Sequence, residues 1–170
     1  MRSITRAGKS ARAVRLAAAL IAALAIAACA KTPDPNAAGG LGAGGVGASV
    51  PGSQQDFVVN VGDRVFFETD STDLTSQAQA TLDKQSRWLA QYARYTVTVE
   101  GHADERGTRE YNFALGAKRA EVTKNYLAAR GIPASRIRTI SFGKERPVAV
   151  CDDISCWSQN RRAVTLLGGG

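Results

Sequence analysis

One histidine in 170 residues leaves the chain without the paired imidazoles of a His-based zinc motif. On strand alternation that residue, His102, shares a face with Thr98 and Glu100, and it reads as a solvated or hydrogen-bonded structural side chain. No serine or cysteine sits in a triad-like context, so no nucleophile–base pair is on offer and neither metal nor cofactor is expected. Cysteine is scarce as well: Cys29, Cys151 and Cys156 are the full set. Three is an awkward number for an exported chain unless one has a separate task. No acid interrupts the apolar run over 16–28, yet the run is too short to span a bilayer, which takes about 20 residues.

Positive charge is concentrated ahead of that run. Of the formal net charge of +7, Arg2, Arg6, Lys9, Arg12 and Arg15 carry five, which leaves +2 for the remainder. A basic segment followed by a short apolar one is the build of a secretory signal, here residues 1–28, and it removes the case for a nucleic-acid partner. Ile26-Ala27-Ala28-Cys29 resembles a bacterial lipobox, in which the cysteine thiol is lipidated and becomes the mature N-terminus; the alternative is an ordinary signal with Cys29 an incidental small residue. Two or more acyl chains anchor stably where one binds only marginally. Ala30 stands where Asp would suggest retention in the inner membrane, which favours the outer membrane with the domain facing the periplasm. Lipidation of Cys29 leaves Cys151 and Cys156 to pair. In an oxidising compartment a structural disulfide is the simplest reading, and their spacing is not Cys-x-x-Cys.

Bulky residues are nearly missing from 31–54, a stretch of Pro, Gly, Ala and Ser. Nothing there buries enough apolar area to offset chain entropy, so residues 29–54 are expected to be a tether. Its typical reach is about 25–30 Å as a flexible coil, with a drawn-out ceiling of about 80 Å. The folded domain is expected over 55–170. Short strands are predicted over 57–61 and 64–67, with an extended lead-in as the alternative for the first, followed by a polar loop over 68–73 with two plausible helix caps. A helix over 75–92 places Leu74, Ala78, Leu82, Leu89 and Tyr92 on one face, with Trp88 beside it. Val97 and Val99 alternate with polar residues in a strand over 95–100. In a helix over 108–130, Tyr111, Leu115, Val122 and Tyr126 share a face, with Arg119 on its margin and Gly131-Ile132-Pro133 as the stop. A strand over 136–142 has Ile137 and Ile140 as apolar anchors. A loop follows over 143–159, and then a last strand over 162–167. The order β-α-β-α-β-β implies an α/β (α+β) two-layer sandwich, helices packed on a mixed sheet.

The run Gly101-His102-Ala103-Asp104-Glu105-Arg106-Gly107-Thr108, followed by Tyr111-Asn112 and by Leu115, Arg119 and Ala120, resembles the OmpA-like peptidoglycan-binding domain. So do Ser141-Phe142-Gly143-Lys144-Glu145-Arg146-Pro147 and Asn160-Arg161-Arg162-Ala163-Val164, and the likeness spans about residues 65–167. It implies the same fold and a ligand, the diaminopimelate of the peptidoglycan stem peptide. An uncrosslinked diaminopimelate offers an ammonium and a carboxylate on one carbon, which calls for an acceptor charge and a donor fork. By the family pattern, Asp104 supplies the first and Arg119 the second, its planar guanidinium matching a carboxylate bidentately. By the same pattern, Asn112 contacts the stem peptide, Leu115 forms an apolar wall, and Asp70 closes one side, unless it caps the following helix. Arg161 and Arg162 match a pair of arginines, of which alternation points one toward the pocket and the other away. The chain departs from the family at Thr69, where Phe is usual, and at Gly116, where Ser is common. The resemblance further implies a non-enzymatic tether between outer membrane and wall, docking the periplasmic β-propeller TolB and joining the Tol complex during envelope constriction. Two alternatives stand beside it: an OmpA-like scaffold lipoprotein of another outer-membrane assembly, and a wall hydrolase using Asp104 with Glu100 or Glu105.

Overall fold

The structure is a computed structural model that describes residues 49–169. The basic leader, Cys29 and the tether as far as residue 48 lie outside the described residues. A short helix α1 (Gln54–Asp56) runs directly into one π-helical turn (Phe57–Val61). Then come β1 (Arg64–Phe66), α2 (Ser76–Gln91), β2 (Thr96–His102), α3 (Arg109–Ala129), a 3-10 turn (Ala134–Arg136), β3 (Ile137–Gly143), α4 (Ile154–Asn160) and β4 (Arg162–Gly168). The strands form one mixed sheet in the order β1-β4-β2-β3. β2 and β3 are parallel and joined by α3, while β4 runs antiparallel to both β1 and β2. The two long helices pack on one face of this sheet, as the two-layer expectation has it.

α2 is built as its pattern requires. The Thr75 hydroxyl caps it by accepting from the Ala78 amide, and Ala78, Leu82, Trp88 and Leu89 turn inward. None of the three acids of the 68–73 loop serves as the cap. Gln85 is the one buried polar exception on this face with partners on both ends: its amide donates to the Gly62 carbonyl at 2.7 Å and accepts from the Thr165 hydroxyl at 2.9 Å.

Four expected features differ. The β-branched run 57–61 is a π-helical turn, not a strand, because Phe57 is drawn into the core against Trp88, ring centroids 5.0 Å apart, while Val58 and Val59 face outward. Asp56 ties that turn down by accepting from Trp88 Nε1, Asn60 Nδ2 and the Gly52 amide. The packed structure reaches back to buried Gly52, whose carbonyl accepts from the Tyr95 hydroxyl and from Arg94. In β3, Ile137 is buried but Ile140 is half exposed, since an odd separation along a strand places two side chains on opposite faces. The loop expected over 143–159 contains α4, and Cys151 and Cys156 form a disulfide there, Cα atoms 5.7 Å apart.

The largest difference is in α3. Its buried residues are Asn112, Gly116, Arg119, Ala120, Thr123 and Leu127, a face rotated by about one residue, ~100°, from the Tyr111–Leu115–Val122–Tyr126 stripe. Tyr111 and Phe113 are half exposed. What seats the helix is backbone contact. A Cβ placed on Gly101 would lie 1.8 Å from the Gly116 carbonyl oxygen, and one on Gly116 would lie 2.5 Å from the Ser141 hydroxyl. This pair of glycines lets α3 lie directly on β2. The Gly116 departure from the family pattern is therefore a packing feature. The helix ends as expected, at Gly131 with φ +93°, with the Ile132 amide donating back to Leu127.

Candidate functional site

Four separate segments converge beyond the end of β2: the turn after β1, the loop after β2, the first turns of α3, and the residue just before β4. Together they line a cleft of about 280 Å³ whose walls include Asp70, Asp104, Asn112, Leu115, Arg119 and Arg161. Six of the seven ligand-binding residues expected from the sequence thus meet at one place. Arg162 does not line it. Alternation along β4 sends Arg162 to the opposite sheet face, where its guanidinium donates to the Asn160 and Arg146 carbonyls and its Nε is buried without a partner.

Asp104 sits at the centre. Its Oδ1 accepts from the backbone amide and from Nε of Arg106, both at 3.2 Å. Its Oδ2 accepts from Arg106 Nη2 at 2.7 Å and from Arg161 Nη1 at 3.3 Å. Burial raises this carboxyl, but the hydrogen bonds and charge of Arg106, with a further bond from Arg161, more than reverse it, and Asp104 is held below its ordinary value. Arg161 is in turn fixed by its Nε, which donates to the Phe67 carbonyl.

Arg119 is fully buried. Its Nε donates to the Ser71 carbonyl, Nη1 to the His102 carbonyl and Nη2 to the Glu68 carbonyl, at 2.9, 2.9 and 3.2 Å. Three of five N–H groups are therefore spent on backbone, which clamps the turn after β1 to the end of β2. One N–H each on Nη1 and Nη2 has no protein partner among the described residues. Burial, reinforced by the nearby Arg161 charge, brings the Arg119 pKa down to about 10, so the guanidinium remains charged at neutral pH. It is neither a snorkelling side chain nor a freely offered fork: it is a structural clamp with two N–H groups in reserve.

The remaining walls are local chemistry. Asp70 adopts φ +56°, a left-handed conformation that Asp tolerates better than most residues, and accepts from the Tyr111 hydroxyl. It does not cap α2. Buried Asn112 donates from Nδ2 to the Arg106 carbonyl at 2.7 Å, and Lys144 donates to the Glu105 and Gly107 carbonyls, so the 104–107 loop is pinned from two sides. Thr69, where the chain departs from the family's Phe, also lines the cleft, and so do Arg106, Gly107 and Tyr111, which the sequence does not place there. The available signal for Arg106 was its place two residues after Asp104, within reach of an aspartate-centred turn.

His102 lies beside Glu100, as alternation has it, but it is neither solvated nor hydrogen-bonded. It is buried, stacked on Phe142 at 5.6 Å between centroids, with neither ring nitrogen hydrogen-bonded. Its Nε2 lies 3.6 Å from Glu100 Oε2, and burial together with Arg162 and Arg146 brings its pKa down to about 4. No cluster of three or more His, Cys, Asp or Glu placed to hold a metal exists among the described residues, and no described helix is long and apolar enough to cross a membrane.

A model of the OmpA family matches residues 66–161. The peptidoglycan-associated lipoprotein of Rhizobium meliloti (strain 1021) is 68% identical over 152 residues, covering 89% of this chain and 86% of that protein. The protein of the same name from Pseudomonas aeruginosa is 42% identical, covering 76% and 74%. Among solved structures, the peptidoglycan-associated lipoprotein from Burkholderia pseudomallei superposes with a TM-score of 0.61 at 39% identity, over 62% of this chain and 90% of that one. The C-terminal domain of Helicobacter pylori MotB, at 19% identity and TM-score 0.59 over 64% and 85%, shares the fold.

Proposed function

The chain belongs to the OmpA family, in company with the peptidoglycan-associated lipoproteins, and from that membership we propose that its cleft binds peptidoglycan through the free ammonium and carboxylate of diaminopimelate. Lipid on Cys29 holds the outer membrane, a tether that ends ahead of buried Gly52 gives reach, and the domain grips the wall without a covalent bond. The observation that carries this reading is the meeting of one ionised carboxylate, Asp104, with two buried guanidinium groups, Arg119 and Arg161, in a single cleft. An amino acid's two ionic ends need both signs of charge within a few ångströms, and the reserve N–H groups of Arg119 suit a carboxylate.

A binding role is favoured over hydrolysis by the state of the acid. A wall hydrolase needs a carboxyl raised toward neutrality to protonate a leaving group. Asp104 is held in the other direction. Glu105, one partner considered for it, accepts from Trp157 Nε1, and Glu100 pairs toward His102 and Arg146. Docking to TolB and membership of the Tol complex are part of the same proposal and are tested by pull-down with TolB.

The direct experiment is co-sedimentation of the purified chain with peptidoglycan sacculi. Sedimentation without soluble fragments is expected, and Asp104→Ala should stay in the supernatant while keeping its circular dichroism. Released muropeptides, or undiminished sedimentation of Asp104→Ala, would overturn the reading.

A further inference from the structure

The four donors on Asp104 raise a problem for any ligand. A carboxylate has about four acceptor positions, and here all four are taken: one by a backbone amide, one by Arg161 and two by the Arg106 side chain. An incoming ammonium has no acceptor to use unless a donor leaves. The candidates are unequal. The amide belongs to a loop pinned by Asn112 and Lys144. The Arg161 side chain is 5% exposed and anchored on Phe67. The Arg106 side chain is 40% exposed and holds no acceptor other than Asp104 among the described residues.

Resting on the reading of Asp104 as the ammonium acceptor, we propose that Arg106 is an internal competitor for the site: its guanidinium forks onto Asp104 in the free protein and is displaced when the ligand's ammonium arrives. A second feature supports the exchange. The Arg106 guanidinium lies 4.2 Å over the ring centroid of Trp157, whose own Nε1 is fixed on Glu105. A cation on an indole face keeps part of its stabilisation when its carboxylate contact is lost. Arg106 therefore has a place to remain beside the cleft after release. One cation replaces another on Asp104, so the carboxylate is never left buried and unpaired, a state that is costly for a charged group. The consequence is moderated affinity: part of the ammonium's interaction replaces an existing one.

The test is a calorimetric titration of the full chain in detergent with diaminopimelate, for wild type, Arg106→Gln and Asp104→Asn. Arg106→Gln keeps the backbone amide bond to Asp104 and removes the competing charge; it is expected to bind about tenfold more tightly, one charge-assisted bond no longer being exchanged. Weaker or unchanged binding overturns the proposal, weaker binding marking Arg106 as a direct ligand contact instead. Asp104→Asn separates the two layers. If it binds as wild type, the acceptor reading fails and the proposal with it; if it binds poorly while Arg106→Gln gains nothing, only the exchange is wrong. Wild type alone gives a second readout. The Arg106 Nε–H resonance, identified by its loss in Arg106→Gln, should be protected in the free chain and exchange with solvent at saturating diaminopimelate. Unaltered protection in the complex would contradict displacement.

Discussion

α2 and α3 lie side by side on the same sheet and bury opposite kinds of surface. α2 buries Leu82, Leu89, Trp88 and Ala78, and its one long polar intruder, Gln85, is satisfied at both ends of its amide. α3 buries Asn112, Arg119 and Thr123 with Gly116 and Ala120 between them, and only Leu127 is a large aliphatic side chain. The first helix is held by removing apolar area from water. The second is held by close backbone approach at Gly101 and Gly116, and by hydrogen bonds that its polar side chains make to loops. A helix that stabilises a fold and a helix that builds a cleft thus look different from inside: the second has its chemistry on the buried face.

The contrast breaks first at Arg119. Arg119→Met removes a buried charge but leaves three carbonyls without their donor, and should destabilise the domain by about 3–5 kcal/mol in urea unfolding. A loss under 1 kcal/mol would mean that α3 is held as α2 is. Leu82→Ala, on the other helix, should cost about 3 kcal/mol through transfer and cavity effects, and should leave affinity for diaminopimelate unchanged. A parallel loss of affinity would show that the two helices are not functionally distinct.

A similar contrast runs across the sheet, between satisfied Asp104 and unsatisfied His102. The depressed His102 pKa, about 4 against an unfolded value near 6.5, means that the unfolded chain takes up a proton first as pH falls. Stability is therefore full above about pH 6.5 and should decline by roughly 2–3 kcal/mol on going to pH 4. His102→Gln should flatten that window, and an unchanged slope would assign it to other groups. Asp104, also depressed, loses its contribution only at lower pH, as it protonates through its folded value. The smallest effect is expected at Asn112. Asn112→Ala should cost about 1 kcal/mol of stability, one hydrogen bond to the 104–107 loop, and should weaken binding through that loop; a change in stability alone would place Asn112 outside the site.

The same contrast explains what could be read from the chain. α2 was legible because apolar residues at helical spacing are what periodicity detects. α3 is legible as a helix, by its apolar spacing and its stop at Gly131, but its inward face is not, because a buried arginine and asparagine carry no hydrophobic signal. Ile140 shows the complementary error, an apolar residue taken for core and found half exposed. The 57–61 run read as strand because local propensity cannot register the pull of Trp88 on Phe57. For the cleft, the 101–108 motif supplied Asp104 by resemblance, and alternation separated Arg161 from Arg162. The hold of Arg106 on Asp104 came from neither, since a contact across a two-residue turn follows no period.

The most direct measurement is a titration of the chain with a stem tripeptide carrying diaminopimelate and with the same tripeptide carrying lysine, which lacks the second carboxylate. If the cleft reads both ionic ends of one amino acid, the lysine peptide should bind at least about tenfold more weakly, the loss of a charge-assisted hydrogen bond. Equal affinity for the two peptides would contradict it.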